Sequence, residues 1–125
     1  MTRVLVAEDD PDTATLITSV LNERLGISGE HVSNGALVLQ GQPPDLLILD
    51  VALPGLNGVD VFDVLRGDPR WAEIPVLFLT VTPHRAARTV AAARGKREIM
   101  QKPFDVDALV AKVSELLGTR EQATA

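Results

Sequence analysis

The sequence predicts an α/β protein built on an open parallel sheet with helices on both faces. Short apolar runs alternate with amphipathic stretches along the chain, the pattern of strands joined by crossover helices. Three runs, Val4-Leu5-Val6-Ala7, Leu46-Leu47-Ile48-Leu49 and Val76-Leu77-Phe78-Leu79, are apolar at every position. A strand covered on one face only would alternate instead, so these read as central strands of a parallel sheet. The length, 125 residues, suits one domain that buries a core without disulfides or structural zinc.

Each element has its own local cause. After the first strand, Asp10 can cap a helix whose first position is Pro11, where no backbone N–H is missed. Ala14, Ile17, Leu21 and Leu25 form its apolar stripe, and Gly26 can take the left-handed conformation that ends it. A weak strand near His31-Val32 and a short helix from Ala36 to Gln40 precede the strand at Leu46. A helix from Gly58 to Arg66 follows, with Trp71 beyond it as a packing residue. After Val76–Leu79 comes an alanine-rich helix from about Arg85 to Arg94, with Val90 as its one large anchor, so its hold on the core is weak. Ile99-Met100 is the last strand. Asp105 caps the last helix, Val106, Leu109, Val110, Val113 and Leu116 are its stripe, and Gly118 is its expected stop. Residues 1–118 are thus read as the domain, and 119–125 as a polar tail or the start of a linker.

Composition excludes several classes of function. Hydrophobic residues make up 46% and charged residues 23%, too apolar for a disordered chain. A net charge of -5 and a pI near 4.9 argue against direct nucleic-acid contact or an anionic membrane surface, either of which wants a basic patch. No apolar run approaches the roughly 20 residues that span a bilayer, and no leader pattern precedes the first strand. The absence of cysteine removes thiolate metal sites and fits a reducing compartment. A cytoplasmic protein is expected.

In an open parallel sheet, ligands gather beyond the carboxyl ends of the strands, at a topological switch point. The polar residues there are Glu8 and Asp9, Asp50, Thr80 and Lys102. Converging carboxylates repel: two unit charges about 4 Å apart cost about 4 kcal/mol at an effective dielectric near 20. Such a pocket needs cations, and an all-oxygen donor set suits magnesium, with Lys102 as a second positive charge. Asp50 leads into Val51-Ala52-Leu53-Pro54-Gly55-Leu56-Asn57-Gly58, a loop without a strong acid or base. A carboxylate attacking phosphorus needs no base, because it is already ionised, but it needs charge neutralisation and in-line access. Magnesium and Lys102 would stabilise the equatorial oxygens, Thr80 would donate its hydroxyl, and loop N–H groups would reach the rest.

Glu8-Asp9, then Asp50 with Pro54 and Gly58 after it, then Thr80, then Lys102-Pro103-Phe104 resemble, in order and spacing, the signature of response regulator receiver domains of two-component phosphorelay signalling. The resemblance spans nearly the whole chain. It implies a flavodoxin-like (βα)5 doubly wound sheet of strand order 2-1-3-4-5. It implies a regulatory phosphoacceptor rather than an enzyme, which takes a phosphoryl group onto Asp50 from a histidine kinase or phosphotransfer protein. Magnesium would be bound by Asp9, Asp50 and the backbone carbonyl of Ala52, with Glu8 acting mostly through water or Lys102. The Lys102-Pro103 peptide becomes a candidate for the cis form. Receivers often signal through the face made by the alanine-rich helix, the last strand and the last helix, toward an output domain, a downstream protein or a phosphorylation-dependent dimer. On that face Lys96 replaces a more usual small residue.

The chain departs from the family pattern at three places. The switch pairs Thr80 with an aromatic residue, where this chain has Ile99, whose side chain cannot swing a ring between two positions. Val81 stands where a smaller residue is usual, and should slow phosphoryl uptake and loss. The stretch from Gly35 to Asp50 is about three residues short, so the second helix should be stunted. A pseudo-receiver, binding partners without phosphorylation, therefore stays open as a second reading, although the intact set of Glu8, Asp9, Asp50, Thr80 and Lys102 opposes it. A phosphatase of the haloacid dehalogenase type wants a general acid two residues beyond its aspartate, where Ala52 stands. Asp10 reads as a helix cap, His31 and His84 as surface or satisfied histidines, and Arg85, Arg88, Arg94 and Arg97 as a solvated face.

Overall fold

Three apolar strands fill the centre of the sheet. In the computed structural model, which describes residues 2–54, 58–81 and 97–124, β1 (Val4–Ala7), β3 (Leu46–Asp50) and β4 (Val76–Thr80) are buried at every position. The edges are β2 (Gly29–Val32) and β5 (Arg97–Gln101), both only partly buried. All neighbours pair in parallel, in the order β2-β1-β3-β4-β5. The chain leaves β1 for one side and returns to β3 on the other, which opens a switch point between their carboxyl ends.

Side-chain alternation divides the interior into two cores. Val4, Val6, Leu46, Ile48, Leu77 and Leu79 face α1 (Pro11–Leu25) and α4 (Val106–Thr124), meeting Ile17, Leu21, Leu109 and Val113. Leu5, Ala7, Leu47, Leu49, Val76 and Phe78 point the other way, onto α2 (Gly35–Gln40) and α3 (Gly58–Arg66). Phe62 meets Phe78 edge to face there, with centroids 5.1 Å apart, and Trp71 closes that core at 4% exposure.

The helix boundaries follow their capping residues, with one exception. Asp10 accepts the Asp12 N–H, and Gly26 ends α1 at φ 65°. Val20 joins the expected stripe, while Leu25 is only partly buried. Asn34 caps α2, which is six residues long, as the short segment implied. Asp105 accepts the Ala108 N–H at 2.9 Å and starts α4. Gly118, expected to stop α4, does not: the helix runs on to Thr124. Among the described residues only Gly26 has a positive φ, and Glu121, Gln122 and Ala123 all tolerate helix. The last strand is also longer than its apolar pair Ile99-Met100, because β4 pairs with it from Arg97 to Gln101. The alanine-rich stretch with Val90, His84, Lys96, and residues 55–57 lie outside the described residues. No helix among the described residues is long and apolar enough to cross a membrane.

Candidate functional site

The carboxyl ends of β1, β3, β4 and β5 open into a cavity of about 600 Å³. Glu8, Asp9, Asp10, Asp50, Val51, Ala52, Val59, Asp60, Thr80, Val81 and Lys102 line it. The sequence thus places Glu8, Asp9, Asp50, Ala52, Thr80 and Lys102 at one pocket, and the structure brings all six there. Glu8, Asp50 and Thr80 are its buried polar residues, at 0%, 3% and 4% exposure, whereas Asp9 is exposed.

Lys102 holds two carboxylates at once. Its Nζ lies 2.7 Å from Glu8 Oε2 and 2.9 Å from Asp50 Oδ2. Its backbone is tied to β4, because the Lys102 N–H donates to the Thr80 carbonyl at 2.8 Å; the Lys102-Pro103 peptide that follows is cis. The other Asp50 oxygen, Oδ1, accepts the Ala52 N–H at 3.0 Å. Gly58 anchors the far end of the same loop, donating its N–H to the Val51 carbonyl at 2.8 Å. A Cβ on Gly58 would fall 2.4 Å from the Asp50 carbonyl oxygen, so the approach of α3 to β3 admits only glycine.

Burial pushes the Glu8 carboxyl up to about 7, with Asp50 adding to the rise and Lys102 opposing it. Burial alone would lower the Lys102 ammonium, but the Glu8 and Asp50 carboxylates beside it outweigh that and raise its pKa. One ammonium is therefore shared between two buried acids. Glu8 Oε2 has the ammonium as an ionic neighbour but no well-directed hydrogen bond.

This donor set fits a magnesium ion. Glu8, Asp9 and Asp50 each offer a carboxylate oxygen within 4.8 Å of the others. Three carboxylates against the single Lys102 ammonium leave two negative charges uncompensated when all are ionised. Oxygen donors of this kind suit a hard divalent cation that keeps part of its water.

Several pocket residues were not singled out from the sequence. Val59 and Asp60 enter it because Gly58 brings the first turn of α3 against Asp50; the glycine, rather than the two residues themselves, was the readable signal. Asp10 lines the rim while also capping α1. His31, expected to be a satisfied or surface histidine, is exposed and sets its Nε2 2.7 Å from the Glu8 carbonyl oxygen. Val81, at 65% exposure, stands at the mouth. Ile99 is half-buried and packs on the core shared with Phe78.

An acidic pocket closed by a lysine, on the carboxyl edge of a parallel sheet ordered 2-1-3-4-5, defines a flavodoxin-like receiver fold. The chain belongs to the response regulator receiver domain family, whose profile matches residues 4–114. It is 37% identical over 121 residues to the DNA-binding dual master transcriptional regulator RpaA of Synechocystis. That match covers 94% of this chain and 49% of RpaA, so the chain spans about half the length of that relative. Protein PilH of Pseudomonas aeruginosa is 27% identical, with 94% of this chain and 99% of PilH covered. Among solved structures, response regulator TrrA of Thermotoga maritima, in complex with Mg(2+)-BeF, superposes with a TM-score of 0.78. It is 29% identical, and the match covers 93% of this chain and 99% of TrrA. The family acts in two-component signalling as a regulatory phosphoacceptor rather than as an ordinary enzyme, and a receiver implies a histidine kinase as partner.

Proposed function

We propose that Asp50 is the phosphoacceptor of this receiver, modified in a magnesium-dependent transfer from a histidine kinase or phosphotransfer protein. The observation that carries this reading is how Asp50 is held. One oxygen is fixed by the Ala52 N–H and the other by the Lys102 ammonium, with oxygens of Glu8 and Asp9 close by. A buried carboxylate so oriented is a poor surface turn and a good nucleophile, because its direction of attack is set before the donor arrives.

Asp9, Asp50 and the Ala52 carbonyl are assigned as the magnesium ligands, with Glu8 behind them on Lys102. Magnesium, when bound, would supply neutralisation of the incoming phosphoryl oxygens and of the acidic pocket itself. Lys102 stabilises charge on an equatorial oxygen and Thr80 donates its hydroxyl to another. When the phosphoryl group takes up Lys102 and Thr80, the contacts that join β4 to β5 at the pocket change. Thr80 and Ile99 are assigned as the switch, with Ile99 answering by repacking on Phe78 rather than by a ring swing. Partner, output or dimer contacts would respond to that change. Membership of the response regulator receiver family suits such a role in signalling, and a cytoplasmic setting follows from it.

The test is direct. The protein is incubated with magnesium and a small phosphodonor or a phosphorylated phosphotransfer protein, and its intact mass is measured. A gain of one phosphoryl group, absent in Asp50→Ala and absent when magnesium is chelated, is expected. No gain with any donor would favour a pseudo-receiver that binds partners without modification.

A further inference from the structure

We infer that His31 is a positioning residue of the cation site: its Nε2–H holds the Glu8 carbonyl and so fixes the peptide from which Asp9 reaches the pocket. The inference rests on the reading of that pocket as a magnesium site.

The contact is short, 2.7 Å from His31 Nε2 to Glu8 O. A carbonyl oxygen can only accept, so Nε2 is the donor and carries the proton. Both backbone polar groups of Glu8 are thereby held from β2. Its N–H donates to the Val32 carbonyl at 3.1 Å, and its C=O accepts from the His31 ring. Strand pairing ends just there, with Ala7 opposite Val32, and beyond Val32 the chain turns into the Asn34 cap of α2. The side chain of His31 thus continues on Glu8 the hold that the ladder has stopped providing.

The Glu8–Asp9 segment needs that hold. Glu8 Oε1 accepts the Asp10 N–H at 3.2 Å, and Oε2 lies on Lys102. These contacts fix the carboxylate from the pocket side and leave the peptide between Glu8 and Asp9 to be fixed from behind. Asp9 is exposed and has no core packing to orient it, so its direction depends on the backbone it hangs from. Groups that orient metal ligands without touching the metal commonly change affinity by about 10- to 100-fold when removed. Because His31 is exposed, replacing it disturbs no core.

The experiment measures magnesium binding by titration calorimetry on the wild type, His31→Ala, His31→Phe and His31→Gln. Melting temperatures are recorded without metal. Phenylalanine keeps the ring but has no donor; glutamine restores an N–H at similar reach. The dissociation constant should rise about tenfold in His31→Ala and His31→Phe, and stay within about twofold of wild type in His31→Gln. Metal-free melting temperatures should move by no more than about 3 °C, as for surface substitutions generally. With acetyl phosphate as donor, the magnesium concentration for half-maximal labelling should rise in His31→Phe while the rate at saturating magnesium stays at the wild-type value. Wild-type affinity in His31→Phe overturns the inference, as does a loss in His31→Gln equal to that in His31→Ala. A wild type that binds no magnesium overturns the metal-site reading itself, and the inference with it.

Discussion

Lys102 and Val81 face the same cavity with opposite effects. Lys102 draws Glu8 and Asp50 together at 2.7 and 2.9 Å and, on the proposed function, prepares the pocket for phosphoryl transfer. Val81, 65% exposed at the mouth, puts a branched side chain where, on the proposed function, donor and hydrolytic water would pass. Val81→Ala should therefore speed labelling by acetyl phosphate and shorten the phosphoryl lifetime, each several-fold, with magnesium affinity unchanged. Time courses of intact mass check this, and equal rates in the two proteins would remove Val81 as a gate. At this scale, Glu8 and Asp50 were legible in the sequence because each ends an apolar run, and Lys102 because Pro103 and Phe104 follow it beyond the Ile99-Met100 strand. Asp60 and His31 were not, since their relation to the site is made by packing of α3 on β3 and by the end of the β1–β2 ladder. Periodicity reports neither.

Elements differ in how far their own residues specify them. β1 is apolar throughout, β3 and β4 are apolar up to their last residues, Asp50 and Thr80, and all three announce themselves. β2 is Gly-Glu-His-Val and β5 is Arg-Glu-Ile-Met-Gln, and each becomes a strand because β1 or β4 offers it a ladder. The same dependence on surroundings explains Gly118, a stop signal only when its φ turns positive. Gly58 is the converse case, a glycine whose role is steric. Gly58→Ala would improve helix propensity by up to about 1 kcal/mol. The added methyl, however, would meet the Asp50 carbonyl at 2.4 Å and Val51 Cα at 2.8 Å, both rigid backbone. Overpacking of this kind commonly costs about 1–3 kcal/mol, so a net loss of stability is expected, together with weaker magnesium binding as the Asp50 loop is displaced. Urea denaturation and metal titration measure the two effects.

For the whole molecule, the pocket is a local cost that metal should relieve. Glu8 titrates near 7 in the fold, against a usual value of 4.5. Between those values the folded protein keeps a proton that the unfolded chain has lost, so stability falls as pH rises through this window. The fall attributable to Glu8 is about 3 kcal/mol at most, from about 1.36 kcal/mol per pKa unit. The carboxyls held low by hydrogen bonds, Asp10 by Thr13, Glu30 by Arg3 and Asp68 by Arg70, act below this window and do not mask it. Urea melts in chelator from pH 4.5 to 7.5 should show the decline in wild type and lose it in Glu8→Gln. Magnesium should oppose the decline by favouring the ionised pocket. At 100 times its dissociation constant it should add about 2.7 kcal/mol near neutral pH, a gain that Asp9→Ala forfeits.

The pairing of Glu8 and Asp50 with a lysine so far along the chain bears on synthesis as well. Chains emerge from the ribosome amino terminus first, so both buried acids are made well before the ammonium that serves them. In a nascent chain ending before β5, aligning β1 with β3 brings the Glu8 and Asp50 carboxyls together without Lys102. Such a fragment has reason to keep the carboxyl end of that pairing open, or to borrow a cation from the surrounding medium. Arrival of β5 then brings the one ammonium that ties the carboxyl ends of β1 and β3 together through Glu8 and Asp50.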